Sequence, residues 1–283
     1  MSDRKKQTVP LTTDDNRVSK AYIDFDFGQV HVVTAGGGPT VLLLHQTPRS
    51  WREYATVIPL LAAQGFGVVA MDTVGFGESD QPPGVGSIEV WASAAGAMLD
   101  AMHIRRAHVV GHHTGGVIAI ELAAQRPELI GGLVLSSTPF TSPEFRAARA
   151  ERPPIDEVEI TEDGSWLTTL WGRRQGFYPP ERPDLLTAFV RDALAVIDRL
   201  EYGPRAVGCY RMEDRIALVS SPTLIVRATD DPFASPHAEE IQRALGPSCA
   251  ATIVDIPGGM VPLPDQKPAE FVAAIAPFLR ATR

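Results

Sequence analysis

Eight short apolar runs punctuate the chain, at 21–27, 30–34, 41–45, 67–71, 107–110, 132–136, 223–227 and 251–256. From Val41 onward they are nearly continuous in apolar residues instead of alternating, which is the pattern of parallel strands covered on both faces. Segments with helical spacing separate them, at 51–64, 87–102, 114–125, 236–245 and 268–282. The last ends on basic residues that suit a helix C-terminus. Strands alternating with helices predict an α/β fold with a mostly parallel, doubly wound sheet.

The rhythm breaks over 140–218, where Pro, Arg, Trp and Tyr are plentiful and only helical pieces are expected, at 142–150, 165–174, 182–200 and 205–212. Such an insert between two strands would stand over the carboxyl edge of the sheet, where ligands bind in open α/β folds. It reads as a helical lid. The core is then 21–139 together with 219–283. The first twenty residues are polar, mixed in charge and without the apolar stretch of a secretory signal, so 1–20 reads as a flexible arm.

Composition narrows the function classes. With 283 residues, 44% of them hydrophobic, the chain can bury one large core. A formal net charge of −8 argues against nucleic acid or an anionic membrane as partner. Cys209 and Cys249 lack metal-ligand spacing. A cytoplasmic protein acting on a small molecule is expected, with no cofactor, and with a homodimer left open.

The chemistry concentrates where the fifth run meets a helix. Residues Gly111-His112-His113-Thr114-Gly115-Gly116 have the small residues of a G-x-S-x-G nucleophile elbow, but His113 stands at its centre. Other segments share the pattern. They are His45-Gln46-Thr47-Pro48 after a strand, Asp72 to Asp80 reading D-x-x-G-x-G-x-S-D, Thr229-Asp230-Asp231-Pro232, and Ile256-Pro257-Gly258-Gly259-Met260. Together, from about Ala21 to the C-terminus, they resemble the α/β-hydrolase superfamily, particularly the lid-bearing branch that includes epoxide hydrolases and haloalkane dehalogenases.

The resemblance implies a nucleophile slot at His113, an acid slot at Asp231, a general-base slot at Met260 and backbone oxyanion donors at Thr47 and Thr114. Gln46 stands where the family has glycine. A thioether cannot relay protons, so Met260 rules out the ordinary Ser-His-Asp route. An imidazole at the elbow reaches toward the volume that the missing base would fill. His113 can then meet Asp231 directly as a dyad, serving as base or as nucleophile. His45, Gln46, Trp51, His112, Met260 and Tyr178 are expected to line the substrate pocket, with Arg49 facing it. A metal site built from His45, His112 and His113 is set aside, because adjacent histidines on a tight turn point apart.

Hydrolysis of a small ester, lactone or activated carbon–carbon bond is the leading reading. Hydratase, lyase or cyclase chemistry with the same base, and a pocket that binds without turnover, stay open.

Overall fold

The computed structural model describes residues 17–246 and 249–282. Eight strands form one sheet: β1 (Ser19–Phe25), β2 (Gly28–Ala35), β3 (Thr40–Leu44), β4 (Gly67–Met71), β5 (Ala107–His112), β6 (Ile130–Ser136), β7 (Thr223–Ala228) and β8 (Ala251–Ile256). Their order is β1-β2-β4-β3-β5-β6-β7-β8. The pairs β1/β2 and β2/β4 are antiparallel, and all others are parallel. The carboxyl ends of β3 to β8 therefore share one edge.

Period-two alternation splits the central strands between two cores. Leu42, Leu44, Val69, Met71 and Val109 enter one, beneath α2 (Ile88–Ala101) and α3 (Thr114–Gln125). Val41, Leu43, Val68, Ala70 and Val110 enter the other, beneath α1 (Val57–Ala63) and the C-terminal helix Pro268–Ala281. Burial on both faces is why these strands read as unbroken apolar runs.

Some expected boundaries shift for local reasons. The first strand stops at Phe25, because Phe25 already pairs with Gly28 and Asp26-Phe27 makes the hairpin turn. Ser19 and Lys20, assigned to the arm, belong to this strand, and residues 1–16 of that arm lie outside the described residues. The helix expected over 51–64 divides into a 3-10 turn, Trp51–Tyr54, and α1. Pro59 sits in the first turn of α1, the only part of a helix where its missing N–H costs nothing.

Between β6 and β7 the described residues form no strand. They fold instead as α4 (Pro143–Ala150), α5 (Ser165–Gln175), α6 (Pro183–Leu194) and α7 (Tyr202–Cys209), with short 3-10 turns. The expected helix over 182–200 breaks after Leu194 and resumes as the 3-10 turn Ile197–Arg199.

One buried guanidinium ties this insert to the core. Arg49, completely buried, donates from Nε to Asp192 Oδ2 on α6 at 3.0 Å and from Nη2 to Asp265 Oδ2 at 2.7 Å. Ser50 Oγ adds a bond to the same Asp192 oxygen at 3.2 Å. The expectation that Arg49 faces the pocket is thereby corrected, since Nε and Nη2 are held by two carboxylates from distant segments and Nη1 lies 3.8 Å from Glu53 Oε1. Removing one partner of a buried ion pair leaves the others charged and unsolvated. Arg49→Met is expected to lower unfolding free energy by about 3–5 kcal/mol in chemical denaturation. A loss below about 1 kcal/mol would show that the clamp does not hold the insert down.

Candidate active site

The turn between β5 and α3 is forced by close contact. A Cβ on Gly111 would lie 2.2 Å from the Gly115 carbonyl oxygen, and one on Gly115 would lie 2.0 Å from the Leu44 carbonyl oxygen. Only glycine lets the start of α3 press against β5 and the end of β3. The chain compensates at His113, which takes φ 48° and ψ −115°, a left-handed backbone that side chains rarely adopt. The turn is pinned by His113 N–H to Ser136 O at 3.0 Å, and His113 O accepts from Gly116 at 2.9 Å and Val117 at 3.2 Å.

This backbone carries the His113 ring to Asp231, on the loop after β7. Nε2 and Oδ2 are 2.7 Å apart, and the ring remains slightly exposed beside a fully buried carboxylate. Asp231 Oδ1 accepts from the Phe233 N–H at 2.9 Å, so both carboxylate oxygens are engaged. Burial works to raise the Asp231 pKa, but the His113 ring and the Phe233 N–H outweigh it and hold the group below the usual carboxylate range. An ionised carboxylate accepts only, which places a hydrogen on Nε2 and leaves Nδ1 of a neutral ring as the basic nitrogen. Of the neighbouring acids, Asp230 turns away and accepts from the Thr229 hydroxyl at 2.9 Å.

A cavity of about 530 Å³ opens above His113. Its floor is made by Gln46, Thr47, His113 and Thr114, from the loops after β3 and β5. The Thr47 and Thr114 hydroxyls lie 3.0 Å apart, and the backbone N–H groups of both residues have no acceptor among the described residues. The position of Gln46 is set by Glu53, which accepts from its backbone N–H at 2.9 Å and from Nε2 at 2.5 Å. Its amide nitrogen is thereby held by a buried carboxylate. Helix α7 closes over this floor: a Cβ on Gly203 would fall 1.7 Å from the Thr47 hydroxyl.

Several residues expected in the pocket serve elsewhere. His45 donates from Nδ1 to Gln46 O at 2.8 Å and accepts at Nε2 from Thr73 N–H at 2.9 Å, and burial holds its pKa down. His112 donates from Nε2 to Val261 O at 2.8 Å and accepts the Ser136 hydroxyl at Nδ1. Burial, with the His113 ring acting in the same direction, lowers its pKa to about 3. Both are neutral braces between loops and are absent from the cavity wall. Trp51 lies outside it too, with Lys20 Nζ 5.1 Å and the Arg52 guanidinium 5.5 Å from its ring. Tyr178 packs into the core on Phe189, 6.0 Å between ring centres. Met260, half-buried, bonds through its N–H to Gln266 Oε1 at 2.7 Å and also stands off the wall.

The upper wall instead comes from residues that sequence reasoning missed: Phe145, Arg149, Arg152 and Arg174 of the insert, with Phe233 and His237 after β7. No helical spacing marks them in the sequence: Arg149 lies in the last turn of α4 and Arg152 in the turn beyond it. No group of three or more His, Cys, Asp or Glu residues among the described residues is arranged to hold a metal ion.

Residues 39–265 match the family described as alpha/beta hydrolase fold. Bifunctional epoxide hydrolase 2 of Mus musculus is 33% identical over 139 residues, which is 48% of this chain and 25% of that protein. Haloalkane dehalogenase 2 of Mycobacterium bovis is 33% identical over 140 residues, 47% of this chain and 49% of that protein. The chain thus spans about a quarter of the first relative and about half of the second. Among solved structures, the enol-lactonase from Burkholderia xenovorans LB400 superposes with a TM-score of 0.76 at 20% identity, over 92% of this chain and 100% of that one. At that identity the likeness is one of fold.

The Glu53 support of Gln46 has a titratable signature. Burial pushes the Glu53 pKa from the ordinary 4.5 up to about 7, although Arg49 and Gln46 pull the other way. The folded state then binds more protons than the unfolded chain between pH 4.5 and 7. The contribution of Glu53 is fully present below pH 4.5 and is lost as pH rises to about 7. Relative to Glu53→Gln, the native chain is expected to lose on the order of 3 kcal/mol across that window and nothing further above it, read from urea unfolding at stepped pH. A pH-independent difference would mean that Glu53 is already ionised throughout.

Proposed function

The chain belongs to the alpha/beta hydrolase fold family, and on that footing we propose that it hydrolyses small esters or lactones with His113 as general base and Asp231 as its orienting carboxylate. The observation that carries this reading is the 2.7 Å contact between His113 Nε2 and Asp231 Oδ2 at the floor of a cavity.

With Nε2–H given to Asp231, Nδ1 takes a proton from a water molecule, and the resulting hydroxide attacks the carbonyl carbon. The imidazolium so formed is stabilised by the carboxylate beside it. Charge that develops on the carbonyl oxygen is met by the N–H groups of Thr47 and Thr114, which are donors fixed in place before the reaction. Collapse of the tetrahedral intermediate expels the alkoxide, which takes the proton back from Nδ1. The acid and the alcohol leave, and the neutral ring is restored.

The base role is preferred to nucleophilic attack by the ring. An acyl-imidazole would itself need activated water for release, and Met260 supplies no second base. The lid-like insert, closing through Gly203 over Thr47, would limit the cavity to small substrates. The epoxide hydrolase among the relatives favours hydrolysis over the elimination or cyclisation chemistry open to the same base.

The test is turnover of a panel of short-chain esters and lactones. His113→Ala and Asp231→Asn are each expected to lower kcat/KM by about 10²–10⁴, with the folding transition of the Asp231 variant kept as a control. Mass spectrometry of enzyme quenched during turnover should find no acyl adduct on His113. An adduct there would replace the base by a nucleophile, and turnover indifferent to His113→Ala would overturn the proposal altogether.

A further inference from the structure

The cavity wall is one-sided in charge. Arg149, Arg152 and Arg174 line it, whereas no Asp or Glu does among the described residues, in a protein whose formal net charge is −8. Two of the three cations are answered from behind. Arg174 is buried and bidentate on Asp156, with Nε 2.6 Å from Oδ1 and Nη2 on Oδ2. Arg149 Nη2 stands 3.6 Å from Glu201 Oε2, and the other oxygen of Glu201 accepts the N–H groups of Asp156 at 2.5 Å and Glu157 at 3.2 Å. His237, also on the wall, has Glu240 at 2.8 Å. The Arg152 side chain has neither an ion-pair nor a hydrogen-bond partner among the described residues.

Its placement is nevertheless built. Arg149 Nη1 donates to Pro153 O at 2.9 Å and to Arg152 O at 3.3 Å, which fixes the turn that carries Arg152. Gly208 on α7 makes room for the Arg149 stem, since a Cβ there would come within 3.1 Å of Arg149 Cγ. The wall therefore holds one cation in excess. It lies on the insert, whereas His113, Thr47 and Thr114 belong to loops of the sheet. Phe145, Ile155, Val207 and Phe233 supply apolar wall in the same cavity.

We infer that the substrate is a monoanion: an ester or lactone whose non-reacting end bears a carboxylate that Arg152, with Arg149, holds under the insert while an apolar middle crosses to His113. A single excess positive charge matches one carboxylate and leaves the second charge of a phosphate monoester unanswered. Arg152 is solvent-exposed where it borders the cavity, so the pairing is expected to weaken as salt is added. The inference rests on the hydrolytic reading of His113, but the recognition it describes is separable from turnover.

Two pairs of probes separate them. The p-nitrophenyl half-ester of adipic acid and p-nitrophenyl hexanoate differ only in a terminal carboxylate against a terminal methyl, and so do the unreactive monoanilide of adipic acid and hexananilide. The native protein is expected to favour the acidic ester by about tenfold or more in kcat/KM, and the acidic anilide similarly in calorimetric binding, the size of one charge-assisted hydrogen bond. Arg152→Gln should cut both preferences about tenfold, and Arg152→Glu should reverse them. If neither ester turns over but the anilide preference is present and Arg152-dependent, the hydrolytic reading fails and this one stands. Equal binding of the two anilides to the native protein would overturn it, as would an Arg152→Gln variant that weakens both probes alike.

Discussion

The close approach of the turn after β5 to the carbonyl of Leu44 is the constraint from which the site follows. Two glycines, at 111 and 115, allow the backbone contacts that any Cβ would break. The price is the left-handed backbone at His113. A strained conformation at one residue persists only when its surroundings over-determine it. Here Ser136, Gly116 and Val117 hold the peptide groups on either side. The ring is thereby aimed out of the sheet toward the loop after β7.

From that single orientation the electrostatics assemble in layers. Asp231 engages one nitrogen of the ring. His112, directly before it in the chain, is kept neutral by burial and braces the Val261 loop. The two adjacent histidines meet edge to face, 4.7 Å between ring centres, so one can act as brace while the other faces the cavity. Around them, Glu53 sets Gln46, and Arg49 joins the insert to the core. The groups placed closest to the chemistry are thus supported by side chains that never reach the cavity, a division between reacting and positioning residues that active sites generally need.

What could be read in the sequence follows from how local each cause is. Doubly buried strands announce themselves as apolar runs, and all eight expected strands are present, with ends shifted by a few residues. The elbow was legible because its glycines answer to a contact within a few positions of the chain. Pairing of Asp231 with His113 was legible only through the resemblance, because the two are 118 residues apart. His45 and His112 misled because imidazole is a reactive group on paper, while its tautomer and role are set by partners such as Thr73 and Val261 that no spacing rule connects. Trp51 lies beneath Lys20 of the first strand and outside the cavity wall, and the arginines of the wall became neighbours only when the insert folded over the sheet.

The central claim is that His113 lends its Nε2 hydrogen to Asp231 and keeps Nδ1 as the basic nitrogen. Nitrogen-15 NMR of histidine-labelled protein reads that tautomer directly once the His113 ring is assigned. The account predicts a pyrrole-type Nε2 whose proton lies far downfield and moves upfield in Asp231→Asn, beside an unprotonated Nδ1 at alkaline pH. A ring protonated at Nδ1, or one whose signals ignore the loss of the Asp231 charge, would contradict it.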